Sequence, residues 1–202
     1  MSDEEVAFLK FLFDMVLESG RTPTADECCS CFGKTQAEIA RIIDDLERKD
    51  MILRKRGTKK IISVYPLSLV PTAHRIVLEN GRELFAMCAA DALGIPVMFN
   101  RNVRIVSECK LCKQEIIIDI RNGDIVSMSN PTTSICSPPR QVAPAAETTC
   151  PDVNFFCSTS HAQRWIQGNK GRIGNITRRS VKQAFPKMKE CWKAYGKTLG
   201  YS

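Results

Sequence analysis

The alternation of hydrophobic and polar residues near the start of the chain predicts three helices. Segment 4–19 carries an apolar stripe at helical spacing, and Gly20 ends it. Thr24 with Glu27 three positions later fits the capping box that opens a short second helix. Segment 35–49 is the clearest helix. Its apolar residues recur every three or four positions, at Ile39, Ile42, Ile43 and Leu46.

Two short apolar runs after these helices predict a β-hairpin. Residues 51–53 and 61–65 have the character of strands, and a basic turn containing Gly57 lies between them. Three helices followed by a hairpin is the element order of a winged helix. We therefore predict a winged-helix-like domain in residues 1–66, followed by a linker at 66–71, where two prolines bracket the segment.

Beyond the linker the pattern changes to short strands mixed with helices. Strands are predicted at residues 74–78, 103–107, 115–120, 124–128 and 153–156. Helices are predicted at residues 83–93, 160–167 and 179–195. The proline-rich segment 130–149 predicts a loop that can act as a lid. The expected fold class is α+β, in which residues 67–202 form a mixed β-sheet domain with flanking helices.

The distribution of charge argues against nucleic acid as a partner. The 202-residue chain has a formal net charge of +7, yet residues 1–66 hold 11 Lys and Arg against 12 Asp and Glu. The third predicted helix, which would enter the major groove, is rich in Asp and Glu. DNA-binding surfaces need Lys and Arg to neutralise phosphates. We expect the winged-helix-like domain to be structural.

The bulk composition is that of an ordinary globular protein, with 44% hydrophobic and 25% charged residues. No apolar run approaches the roughly 18–20 residues that a membrane helix needs. The N-terminus is acidic and so lacks the basic region of a secretory signal. We expect a cytoplasmic protein that does not associate with membranes.

Ten cysteines stand out in a chain for which no export signal is predicted. Thiols in a reducing compartment point to metal binding or catalysis more than to disulfides, although many free cysteines simply fill a core. Cys88 and Asp91 lie three positions apart on one predicted helix, and so share a face where thiol and carboxyl can exchange a proton. Cys-x-x-Asp is nevertheless common, and a buried cysteine beside a surface aspartate explains it equally well.

Three segments occur in a fixed order along the chain: PTAHR at 71–75, LFAMCAADAL at 84–93 and CPDVNFF at 150–156. Together they resemble the organomercurial lyase, or alkylmercury lyase, family. The resemblance covers roughly residues 6–185 and is densest over residues 71–156. It implies a winged-helix-like N-terminal domain and a catalytic domain built on a mixed sheet.

The resemblance also implies roles for single residues. Cys88 and Cys150 match the two catalytic cysteines, Asp91 matches the catalytic aspartate, and Cys109 matches a further cysteine with a structural role. The implied reaction is protonolysis of the carbon–mercury bond of alkyl- or arylmercury, which yields a hydrocarbon and Hg(II) in mercury detoxification. No cofactor is implied. Free thiols release the bound Hg(II), and a mercuric reductase or small thiols accept it.

The chemistry of mercury agrees with this set of residues. Mercury is soft, so thiolates outcompete oxygen and nitrogen ligands for it. A carbanion leaves readily only if it is protonated as it departs, and a carboxyl group that holds its proton near neutral pH can supply that proton. Apolar walls for the site are expected from four neighbouring side chains: Phe85, Met87, Phe155 and Phe156.

Three positions depart from the pattern common in the family. Met87 stands where an aromatic residue often precedes the first cysteine, Pro151 where some members have a cysteine, and Asn154 where histidine is common. The departures bear on the range of substrates more than on the fold. They leave open a relative that binds metal without cleaving the carbon–mercury bond.

Two other interpretations of the thiols remain open from the sequence. Cys109 and Cys112 form a Cys-x-x-Cys pair that, with Cys150 and Cys157, would make a four-thiolate zinc site. The alternative is a DNA-binding regulator that senses zinc or a soft metal through its thiols. The pattern assigns no role to Cys136, and the cysteines in segment 28–31 either bind metal or, more simply, pack the second helix.

Overall fold

Residues 1–139 and 144–201 are described in a computed structural model of the chain. The three predicted N-terminal helices are present as α1 (Asp3–Ser19), α2 (Ala25–Phe32) and α3 (Gln36–Arg48). Each opens with a complete capping box, in which the N-cap hydroxyl accepts from the backbone N–H three residues on. The N-caps are Ser2, Thr24 and Thr35. Local sequence signals therefore set these helix starts.

An antiparallel sheet of eight strands crosses most of the molecule, in the order β1-β2-β3-β5-β4-β6-β7-β8. Its strands are β1 (Ile52–Arg54), β2 (Ile61–Val64), β3 (Leu67–Ser68), β4 (His74–Leu78), β5 (Glu83–Ala86), β6 (Val103–Glu108), β7 (Glu115–Arg121) and β8 (Asp124–Met128). Every strand pair among the described residues is antiparallel, so the expected mixed sheet is wrong. The α+β class is confirmed.

The predicted linker at 66–71 is partly wrong, because it contains β3. Leu67 is fully buried and pairs with Val64 on one side and Ala86 on the other. The β1–β2 hairpin thus continues directly into the strands of the second half of the chain. The element order of three helices and a hairpin is present, and its description as a winged-helix-like domain stays a prediction.

A second, three-stranded antiparallel sheet has the order β10-β9-β11, with β9 (Ser134–Ser137), β10 (Asn154–Phe156) and β11 (Thr177–Ser180). Its central strand lies inside the segment predicted to be a loop, 130–149. The prediction failed because the partners that hold β9 come from far along the chain. A one-turn helix, α5 (Ala145–Thr148), follows in the same segment, whereas residues 140–143 of the predicted lid lie outside the described residues.

The predicted helix over residues 83–93 is also wrong in its first half. Residues 83–86 form β5, which lies between β3 and β4, and the helix α4 spans Ala89–Met98. Burial alternates along β5, since Glu83 is exposed while Leu84 and Ala86 are buried. Hydrogen bonding to two neighbouring strands outweighs the helical spacing of the apolar residues.

Two helices complete the fold, α6 (Thr159–Ile173) and α7 (Val181–Thr198). Helix α7 packs closely along α4: a Cβ at Gly94 would meet the Trp192 ring, and one at Gly196 would meet the Met98 carbonyl. None of the helices in residues 1–139 and 144–201 has both the length and the apolar character that crossing a bilayer requires.

Candidate active site

The N-terminus of α4 holds the first two of the predicted site residues. Cys88 is the N-cap of the helix, and its Sγ accepts from the backbone N–H of Asp91 at 3.5 Å. Both residues are buried, with exposed fractions of 3% and 1%. Although the helix begins later than predicted, the thiol and the carboxyl still lie one turn apart at its start.

Cys150 also lies beside the N-terminus of α4. It begins a turn of 3-10 helix, Cys150–Asp152, that precedes β10. Two contacts fix this turn. The Ala89 N–H donates to the Val153 carbonyl at 3.1 Å, and the Arg172 guanidinium forms a two-pronged ion pair with Asp152 at 2.7 and 3.0 Å. The Cys150 thiol lies 3.8 Å from Asp91 Oδ2, to which it donates.

The structure thus brings Cys88, Asp91 and Cys150 together, although 59 positions separate the last two. One sulfur or carboxylate atom from each residue lies within 4.8 Å of the others. Two thiolates that bind one mercury atom in a line, with bonds of about 2.3–2.4 Å, stand at most about 4.8 Å apart. The spacing of the two sulfurs therefore suits a single bridging soft metal.

Burial raises the pKa values of Asp91 and Cys88. Desolvation raises the pKa of Asp91 from 3.8 to about 7, against the opposing effect of hydrogen bonds from Cys88, Tyr65 and Cys150. Desolvation also raises the pKa of the Cys88 thiol, and the neighbouring Cys150 and Asp91 raise it further. The cluster therefore holds protons that an incoming cation can displace.

Tyr65 is a member of the site that the sequence did not indicate. Its phenol interacts with the Asp91 carboxyl, and burial followed by the charge of Asp91 raises the pKa of the phenol. The residue stands at the end of β2, beside Pro66, in no recognisable motif. The Met87 N–H donates to the Pro66 carbonyl at 3.1 Å, and this contact between distant segments brings Tyr65 to the start of α4.

A cavity of about 370 Å³ opens on the three residues. Its lining, besides Cys88, Asp91 and Cys150, is mainly apolar or aromatic and includes Met51, Tyr65, Ala90, Pro138, Ala145, Val153 and Tyr195. The four side chains expected to form the walls are not in this lining. Phe155 and Phe156 instead pack in the core, against His74 and Trp165.

The predicted four-thiolate zinc site is wrong in one ligand. Cys109, Cys112 and Cys157 do lie together, but the fourth group near them is His161, while Cys150 belongs to the cluster at α4. Sequence spacing did not indicate His161. Cys28 and Cys136 are buried, each with a raised thiol pKa because of desolvation.

Comparison with known proteins agrees with the geometry. The family model for alkylmercury lyase (MerB) matches residues 67–190. An alkylmercury lyase of Staphylococcus epidermidis is 30% identical over 157 residues, which cover 77% of this chain and 69% of the relative. One of Bacillus cereus is 28% identical over 182 residues, which cover 88% of this chain and 78% of the relative.

Among solved structures, the mercury-bound form of MerB2 superposes with a TM-score of 0.82 at 26% identity, over 97% of this chain and 93% of that one. The expected resemblance is confirmed at the level of both sequence and fold. This chain belongs to the alkylmercury lyase family.

Proposed function

We propose that this protein cleaves the carbon–mercury bond of organomercurials through Cys88, Asp91 and Cys150. The observation that carries the proposal is the convergence of two buried thiols and one buried carboxyl within 4.8 Å. Thiolate sulfur suits mercury, and a protonated carboxyl suits the carbon that must leave. Cleavage of the carbon–mercury bond is the reaction after which the alkylmercury lyase family is named.

The first step is binding of the organomercury cation. Cys88 loses its thiol proton to solvent and forms a sulfur–mercury bond. The raised pKa of this thiol opposes the loss, but the bond to mercury drives it, because a metal displaces protons from thiols. The position of Cys88 at the N-terminus of α4 favours the anionic sulfur at the moment of attack.

The second step breaks the carbon–mercury bond. The Asp91 carboxyl gives its proton to the carbon, the hydrocarbon leaves, and the Cys150 sulfur bonds to mercury as its own proton passes to Asp91. The 3.8 Å contact between Cys150 Sγ and Asp91 Oδ2 provides the path for that proton. The products are a hydrocarbon, Hg(II) on two thiolates and a carboxyl again protonated.

The pKa of Asp91 suits this role. A value of about 7 leaves a large share of the carboxyl protonated at neutral pH, whereas an exposed aspartate would be almost wholly ionised. The mainly apolar lining of the cavity keeps the carboxyl dehydrated and accepts an alkyl or aryl group.

Release of Hg(II) needs an acceptor with thiols of its own. The two thiolates of the protein hold the ion strongly, so ligand exchange with small thiols or with the thiols of a mercuric reductase is the expected exit. The chain itself supplies all the groups that the bond cleavage uses, and no cofactor enters the proposed steps.

Incubation of the protein with methylmercury or phenylmercury and excess thiol should release methane or benzene, measured by gas chromatography. Cys88→Ala and Cys150→Ala should each abolish release, because either change leaves mercury with one protein thiolate. Cys31→Ala is the matched control: this exposed cysteine of α2 lies outside the site, and its loss should leave turnover unchanged. Wild-type turnover in both site variants would refute the proposal.

The N-terminal segment is inferred to be a winged-helix-like structural unit without DNA binding. Two arginines of its hairpin form ion pairs with carboxylates: Arg54 with Asp44 and Glu47, and Arg56 with Glu147. Groups paired in this way are less available to phosphates. A gel-shift assay with promoter and random DNA at low salt tests the inference, and tight, salt-sensitive binding would contradict it.

A further inference from the structure

A second cluster of metal-binding side chains lies outside the proposed active site. Cys109 follows β6 and Cys112 lies in the turn between β6 and β7. Cys157 follows β10, and His161 is in the first turn of α6. One ligand atom from each of the four lies within 4.8 Å of the others, so two distant parts of the chain meet here.

Three distances within this cluster are close to those between the ligands of one tetrahedral ion. Zinc bonds of about 2.3 Å to sulfur and about 2.0–2.1 Å to nitrogen separate the ligands by about 3.8 Å for two sulfurs and about 3.5 Å for sulfur and nitrogen. Cys112 Sγ and Cys157 Sγ are 3.7 Å apart. His161 Nδ1 lies 3.1 Å from Cys157 Sγ and 3.7 Å from Cys109 Sγ.

We propose that Cys109, Cys112, Cys157 and His161 bind a structural Zn²⁺ ion. Three cysteines and one histidine are one of the ligand sets that closed zinc sites use, and four protein ligands leave no position for substrate. The site differs from the active-site cluster in composition, since it has an imidazole and lacks a carboxyl.

The local backbone is already arranged as a metal-binding turn. The Cys109 N–H donates to the Gln114 carbonyl at 2.8 Å, and the Lys113 N–H donates to the Cys109 carbonyl at 2.9 Å. Lys113 has a positive φ of 65°, which closes the turn around the Cys-x-x-Cys pair. The Lys110 N–H donates to the Phe155 carbonyl at 3.0 Å, which joins the turn to β10.

The remaining interpretations of the cluster fit it less well. A disulfide needs a sulfur–sulfur bond of about 2.05 Å. Cys112 Sγ and Cys157 Sγ are 3.7 Å apart, and all three cysteines are free thiols. Cysteines that merely fill a core have apolar neighbours, whereas Cys112 is exposed and Cys157 contacts a histidine ring. Four convergent ligands that include an imidazole favour zinc over a soft ion held by two thiolates.

A bound ion here would stabilise the strand that follows the active-site turn. Cys150 and Cys157 stand on either side of β10, so zinc at Cys157 fixes the end of the strand opposite to Cys150. The site is thus inferred to hold the second catalytic segment in place without contact with substrate.

The zinc content of the purified 202-residue protein tests the proposal. Protein reconstituted with excess ZnSO4 under reducing conditions and then desalted should carry about one zinc per chain by mass spectrometry. Cys112→Ser and His161→Ala should lose it. Cobalt reconstitution supplies a second measurement: the wild type should show the thiolate charge-transfer and visible bands of tetrahedral Co²⁺, and Cys112→Ser should lose them.

Two control variants separate this site from the active site and from thiols in general. Cys31→Ser and the double variant Cys88→Ser/Cys150→Ser should both keep the zinc and the cobalt spectrum.

Stripping zinc with a chelator should lower the thermal midpoint of the wild type, and adding zinc back should restore it. Zinc well below one per chain in the wild type, zinc retained in Cys112→Ser, or zinc lost only from the double variant would each overturn the proposal.

Discussion

At the residue scale, burial decides the chemistry of Asp91. A carboxylate in the first turn of a helix gains only about 0.3–1 kcal/mol from the helix dipole, and up to about 2 kcal/mol when partly buried. Hydrogen bonds from its neighbours add to this preference for the ionised form. Desolvation of a side chain that is 1% exposed outweighs both, and the pKa rises to about 7. The residue is therefore a proton donor whose ionised form destabilises the fold.

Asp91→Asn should consequently become more stable relative to the wild type as the pH rises. Below about pH 3.8 the aspartate is protonated in both states. Between about 3.8 and 7 the unfolded chain releases the proton while the folded protein keeps it, so wild-type stability falls across that window and levels off above it. The difference in unfolding free energy should grow by roughly 2–4 kcal/mol from pH 4 to pH 8. Urea unfolding of both proteins at the two pH values measures it.

The same variant should bind mercury but lose protonolysis, because the amide cannot give up a proton to carbon. A pH-independent stability difference would show that the Asp91 pKa is not raised, and normal turnover would show that another group delivers the proton.

Tyr65→Phe should shift the pH dependence of turnover. The Tyr65 phenol lowers the Asp91 pKa by stabilising the carboxylate, so its removal should raise that pKa further. The loss of activity at alkaline pH should then move upward, by about one pH unit or less. The pH profile of phenylmercury cleavage measures the shift, and Cys31→Ala provides the unshifted reference. An unchanged or downward-shifted profile would contradict the contact.

At the scale of elements, close packing against α7 fixes the position of α4, the helix that carries the active-site residues at its N-terminus. The two helices approach so closely that glycine is required on each: the ring of Trp192 covers Gly94, and the Met98 carbonyl covers Gly196. A Cβ would come within 2.2 Å and 2.3 Å of those groups. The helix carrying Cys88 and Asp91 is thus positioned by small residues that carry no chemistry.

Gly196→Ala should destabilise the protein by about 1–3 kcal/mol or more, since a backbone carbonyl must move to make room. Gly94→Ala should cost less if the Trp192 ring can turn away. Gly168→Ala in α6 is the control: its Cβ meets nothing within 4 Å, and alanine should be neutral or stabilise by about 0.4–1 kcal/mol. Chemical denaturation of the three variants measures their unfolding free energies. An equal loss of stability at positions 168 and 196 would contradict the prediction.

At the scale of the whole molecule, the two predicted domains share a sheet and a core. The ring of Phe13 in α1 packs edge-on against Phe99 at 5.2 Å, and Phe99 packs in turn against Tyr201. The Tyr201 hydroxyl donates to Asp14 at 2.6 Å. Because apolar burial and strand pairing both cross the predicted boundary at residue 66, we expect the chain to unfold as one unit.

Phe13→Ala should therefore lower the stability of both halves together, by about 3–5 kcal/mol. Both tryptophans, Trp165 and Trp192, lie in the C-terminal half, and Trp165 packs against Phe156 of the same half. Their fluorescence therefore follows the unfolding of that half. In Phe13→Ala, the unfolding transition followed by tryptophan fluorescence should shift as far as the one followed by far-ultraviolet circular dichroism, which reports on the whole chain. Val126→Ala, at a 60% exposed position, should change stability by less than about 0.5 kcal/mol. Tryptophan fluorescence left unshifted by Phe13→Ala would show that the halves unfold independently.

The sequence by itself determined the features that local chemistry specifies. Capping boxes and apolar spacing set α1, α2 and α3, and the hairpin signal Arg-Asn-Gly-Asp set the turn between β7 and β8. The residues Cys88, Asp91 and Cys150 were identified because their segments match a family pattern. Periodicity and spacing alone support a thiol beside a carboxyl and do not connect Cys150 to them.

Only the tertiary structure decided what depends on partners far along the chain. Segments 83–86 and 134–137 are strands because of the neighbours that hydrogen-bond to them, and these neighbours leave no local signal. Tyr65 and His161 join their clusters through the same long-range packing. The pKa of Asp91 likewise follows from its burial, which is a property of the folded molecule and not of the residues beside it in sequence.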